Sequence, residues 1–161
     1  MDFDVTSISA ILAAAGVLVG VVYYILDMRQ QMQIRQTDMV MGLYATFGST
    51  EFQKAYQKVT NLECKDYADY MKIYGKDVEV RGGMWTVTIF FEGVGVLAMR
   101  KLIKMDLVDF LFSSVIIRTW ERVAQFVKGF REDEKSPSTC ECFEYLYNEM
   151  KKREQKLQLR A

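Results

Sequence analysis

The chain has 161 residues but no histidine, one proline and three cysteines, and its basic and acidic side chains balance at 21 each. Without histidine it lacks the usual general base near neutral pH and the commonest transition-metal ligand. Any chemistry would fall to carboxylates, tyrosines, lysines or thiols. Cys64, Cys140 and Cys142 are too sparse for a disulfide framework and suit a reducing compartment. A formal net charge of zero draws the chain toward no polyanion, so nucleic acid is not expected as a partner. One proline and ten glycines leave little material for tight turns, while half of the residues are hydrophobic. An all-α fold follows.

What is present begins with VTSISAILAAAGVLVGVVYYIL, Val5 to Leu26, which has no charged side chain and lies between Asp4 and Asp27. As a helix it covers about 33 Å, enough for the roughly 30 Å hydrocarbon layer of a bilayer. The acidic start and the tyrosines Tyr23 and Tyr24 do not resemble a cleaved signal. Arg29 and Arg35 follow the run and Asp2 and Asp4 precede it, which places the N-terminus outside and the remainder in the cytoplasm. Gly16 and Gly20, with Ala13, Ala14 and Ala15 upstream, form a small-residue face for association of helices in the membrane. Glycine and alanine are also common in spans for no such reason.

No proline or glycine interrupts the chain between Leu26 and Gly42, and Met28, Met32, Met39, Leu43 and Phe47 keep to one helical face. The span therefore continues as a stalk, and Gly48 with Ser49 supplies a stop and a new N-cap. The expected layout is a short external terminus (1–4), a transmembrane helix (5–26), a helical stalk (27–47) and a cytoplasmic helical domain (48–161).

In the domain, Phe52, Ala55, Tyr56, Val59 and Leu62 follow helical spacing, and Tyr67, Tyr70, Met71 and Tyr74 mark a short second helix ending at Gly75. Such aromatic stripes are core packing more often than ligand grooves. Lys76 to Gly83 reads as a loop. MWTVTIFFEGVGVLAM then alternates as a strand would, but no second strand is available to pair with it, so a buried helix running to about Ile103 is preferred. Met84 to Met99 is also a candidate second span, although it is short and holds Glu92. Asp106 is expected to cap a turn carrying Leu107, Phe110 and Leu111. A separate long helix with the stripe Ile116, Trp120, Val123, Val127 and Phe130 should follow. REDEK and Pro137 mark a solvated connection. The last helix starts either from a capping box, Ser138 with Glu141, or from Ser136 and Pro137, and packs through Phe143, Leu146, Tyr147 and Met150. The tail KKREQKLQLR is expected to fray.

Glu92 is the candidate polar site. Phe90, Phe91, Val94, Val96 and Leu97 surround it in sequence, and a carboxylate in such surroundings is either paired or has a raised pKa, a state that clusters at functional sites. Its structural alternatives are an ion pair with Arg100 or Arg118 or a hydrogen bond to a tyrosine. Cys140 and Cys142 would point about 200° apart on a helix, and Cys64 does not complete a zinc set, so no metal is expected. Gly82 with Gly83 and Gly93 with Gly95 fit no phosphate loop. No catalytic residue and no cofactor are assigned.

Several stretches together, IRQTDMV, LYATFGSTEF, FFEGVGVL, DLVDFLF and FEYLYNEM, resemble an uncharacterised archaeal and bacterial family of small single-span membrane proteins, a domain of unknown function. The resemblance covers nearly the whole chain and implies a membrane-anchored helical domain; it carries over no catalytic residue. The leading expectation is a non-catalytic, membrane-anchored interaction or regulatory module whose partners are the bilayer and a protein or a second copy of itself. The alternatives are an enzyme or small-ligand receptor with a pocket near Glu92, and a membrane-active stress or defence effector.

Overall fold

A computed structural model describes residues 5–158, leaving the side chains of residues 5–7 and 157 undescribed. Asp2 and Asp4 and the end of the charged tail lie outside the described residues. The described residues form six helices joined by short turns, with no strand among them: α1 (Val5–Gly48), α2 (Thr50–Thr60), α3 (Tyr67–Tyr74), α4 (Val78–Met99), α5 (Met105–Asp133) and α6 (Glu141–Gln158). The chain forms two compact units, Met1–Asp38 and Met39–Ala161.

In the first unit α1 is apolar from Ile8 to Leu26 and its side chains there are exposed, Leu12 at 67% and Val19 at 69%. α1 and α4 are both long and apolar enough to cross a membrane, but they differ in setting. The apolar stretch of α1 has nothing buried, whereas nearly half of α4 lies inside the second unit.

In the second unit the last turns of α1 enter the core. Val40 is buried, and Met39, Leu43 and Phe47 pack against it. Phe47 meets Phe52 at 5.3 Å and Phe112 at 5.5 Å between ring centroids, a contact class that adds to plain area burial. Ser49 caps α2 as its sequence context predicts, its Oγ accepting the amide hydrogen of Phe52 at 3.2 Å. α4 packs against α2 and α6, and α5 against α3 and α6. Val87, Phe91 and Val94 of α4, Ile116 and Val123 of α5 and Phe143, Leu146 and Met150 of α6 are fully enclosed.

Five expectations are corrected. Lys76 to Gly83 is mostly helix, because Asp77 caps α4 by accepting from the amides of Glu79 and Val80 at 2.9 and 3.0 Å. α4 stops at Met99, short of Ile103. Lys101 takes a left-handed φ of 57°, and the amides of Lys101 and Leu102 fold back onto the carbonyls of Ala98 and Leu97, the Schellman closure. The two helices expected after Asp106 are one, α5, since Ser113 and Ser114 offer no break. Asp106 does not cap it; it accepts from Arg153 at 2.8 Å instead. That ion pair, a second from Arg153 to Asp109 at 3.3 Å and one from Lys151 to Glu121 at 3.6 Å also tie down the described part of the tail expected to fray.

Candidate functional site

The polar junction with the most specific geometry joins α4 to the start of α6. Glu92, half-buried on α4, accepts hydrogens from the backbone amides of Cys142 at 3.2 Å and Phe143 at 2.8 Å. The first amides of a helix have no intrahelical partner and carry the positive end of its dipole, so a carboxylate there satisfies both demands. Neither Arg100, Arg118 nor a tyrosine holds Glu92, as the sequence alternatives had it; the partner is the α6 backbone. The local caps are displaced for a visible reason. Cys140, directly before α6, has φ 58° rather than the extended backbone of an ordinary N-cap, so the cap comes from another helix.

Two features let α6 approach this closely. Gly95 lies one turn beyond Glu92, and a Cβ there would sit 2.3 Å from the carbonyl oxygen of Cys142. Phe143 then stacks on Phe91 at 4.9 Å and meets Trp120 edge-on at 4.9 Å. The Cys140 thiol is buried beside this junction. Burial and then the Glu92 charge push it up to about 11, opposed by a hydrogen bond with Thr88. Burial and Glu92 also raise Cys142, against which the Arg100 charge acts. A thiol held protonated is a weak nucleophile and a poor metal ligand. Among the described residues no three cysteines or carboxylates gather as a metal site.

Gly16 and Gly20 are exposed on α1, and a Cβ at either would meet nothing within 4 Å. Cys64 lies apart from the other two thiols in a cleft of about 160 Å³ with Asp66, Arg122 and Gln125. Three further clefts are found on the second unit. One of about 450 Å³ is lined by Phe52, Lys58 and Thr86, and one of about 530 Å³ lies between α2 and α5. The third, about 70 Å³, is lined by Tyr67, Tyr70, Trp85, Phe126 and Phe130. Glu92 lines none of these four.

Sequence reasoning missed two contacts. The Tyr70 hydroxyl is buried without a hydrogen-bond partner, and Gly129 of α5 lies so near Tyr67 that a Cβ would stand 2.2 Å from that residue's Cβ. The glycine in an otherwise regular helical stripe was the available signal for the second; nothing in the pattern marks the first.

An all-helical domain led by one long apolar helix is the class these features define. Residues 9–150 match the family described as Domain of unknown function (DUF4760), and the chain belongs to that family. No curated protein and no solved structure matches it.

Proposed function

We propose that the protein is a single-pass, membrane-anchored module that acts by binding a protein partner or a second copy of itself, without catalysis. The observation that carries this reading is the run from Ile8 to Leu26, uncharged and exposed along its length. An apolar surface of that extent demands cover, and hydrocarbon supplies it over the right distance. Arg29 and Arg35 on its C-terminal side favour a cytoplasmic domain and an external N-terminus.

The domain's most enzyme-like carboxylate, Glu92, is engaged on the α6 backbone, which supports a role for its surface rather than for a reaction centre. The open flank at Gly16 and Gly20 supports close approach of two spans. Mass measurement by light scattering in mild detergent, with pull-down from native membranes, tests the reading. It expects an oligomer or a reproducible partner; a strict monomer that captures nothing reproducible overturns it. Substituting Gly16→Leu and Gly20→Leu should weaken self-association, and an unchanged oligomer mass would remove these two residues from the account.

A further inference from the structure

We infer that the cleft between α2 and α5 binds a phosphate group. It is lined by Tyr56 and Thr60 on α2 and by Arg118, Glu121 and Arg122 on α5 and is an open cleft of about 530 Å³, within the range of small-ligand clefts. Arg118 and Arg122 lie one helical turn apart, so their guanidinium groups share a face of α5.

Neither arginine makes an ion pair among the described residues. Glu121 lines the same cleft and lies 3.6 Å from Lys151, which Glu154 holds more closely at 3.0 Å, and Arg122 also borders the Cys64 cleft with Asp66. Arg118 uses only Nε, which donates to the Ser114 carbonyl at 3.3 Å, leaving its terminal nitrogens for a ligand. Across the cleft the Tyr56 ring is fixed edge-on to Phe47 at 6.0 Å and stacked on Phe52 at 6.4 Å. Its hydroxyl bonds to none of the described residues. Thr60 already donates to the Tyr56 carbonyl at 3.0 Å, so its oxygen contributes no donor.

The two arginines and the tyrosine that line the cleft offer more donors than a single carboxylate can accept. A phosphate group, with three oxygens and negative charge, suits two arginines that flank one glutamate. The group would come either from a soluble phosphate monoester or from an anionic lipid headgroup. This inference stands on the second unit alone and does not depend on the membrane reading.

The full chain in mild detergent, titrated with inorganic phosphate and separately with phosphatidic acid in mixed micelles, tests it by phosphorus resonance. Saturable binding is expected in at least one arm, weakened about tenfold or more by Arg118→Gln with Arg122→Gln and less by Tyr56→Phe. Binding of inorganic phosphate assigns a soluble ligand; binding of phosphatidic acid alone assigns a headgroup. No saturable binding in either arm, or equal binding by the double variant, overturns the inference. Circular dichroism checks that the variant keeps its helicity; if it does not, each single variant is measured in its place under the same criteria.

Discussion

Glu92 and Phe143 are 51 positions apart, and the carboxylate of the first accepts the amide hydrogen of the second at 2.8 Å. One side chain thereby fixes where α6 begins and holds that beginning against α4. The bond is charge-assisted and only partly shielded from water, so its loss should cost more than an exposed ion pair and less than a buried one.

Replacing Glu92 with alanine should destabilise the domain by about 1–3 kcal/mol. Glu92→Gln, which keeps an acceptor but loses the charge facing the helix dipole, should cost less, roughly 0.5–1 kcal/mol. Thermal unfolding followed by circular dichroism separates the two. Equal stability of the alanine variant and the parent would mean that the cap does not hold α6.

Gly93 and Gly95 should respond to alanine with opposite signs. At Gly93 a Cβ meets nothing within 4 Å, whereas at Gly95 it would strike the Cys142 carbonyl oxygen at 2.3 Å. Gly93→Ala should therefore stabilise α4 by up to about 1 kcal/mol through helix propensity. Gly95→Ala should destabilise by about 1–3 kcal/mol, because α6 must retreat from α4. Denaturant titration of the two variants checks the contrast, and a stabilising Gly95→Ala would refute the close approach.

Cys140 gives the fold an alkaline limit. Its thiol is neutral in the folded domain up to about 11, against an ordinary value of 9.0. Between those values the unfolded chain holds fewer protons than the folded one, so stability is intact below about pH 9 and falls as pH rises toward 11. The loss attributable to this thiol is of order 2 kcal/mol. Cys140→Ala should flatten that part of the stability profile, and a slope unchanged in the variant would show that another group causes it.

Thiol labelling tests the proposed orientation. Cys64 and Cys142 are half-buried and Cys140 is buried, so a membrane-impermeant reagent should reach the first two only after intact cells are permeabilised. Labelling of intact cells would place the domain outside.

Much of the fold was legible because it is written locally. The stripe Ile116, Trp120, Val123 and Val127 is buried as its spacing requires, while Arg118, Glu121, Arg122 and Lys128 of the same helix are exposed. Ser49 acts as the N-cap that its neighbours imply. The helix ends were harder to read. α4 and α5 close around Lys101 at φ 57° and Lys135 at φ 51°, positions where glycine or asparagine is the usual signal. Glu92 stands out in sequence as a carboxylate among apolar neighbours. Its partner was illegible, because a backbone amide 50 residues away leaves no mark in composition or spacing. Arg118 and Arg122 lie on the exposed face of α5, and only the placement of α2 opposite them makes a cleft.

The account rests most heavily on α1 as an anchor, and alkaline carbonate extraction of membranes from cells expressing the full chain measures this directly. An anchor held by hydrophobic burial and not by charge keeps the protein in the membrane pellet, even where Cys140 ionises and the domain loosens. Recovery in the carbonate supernatant would contradict the account.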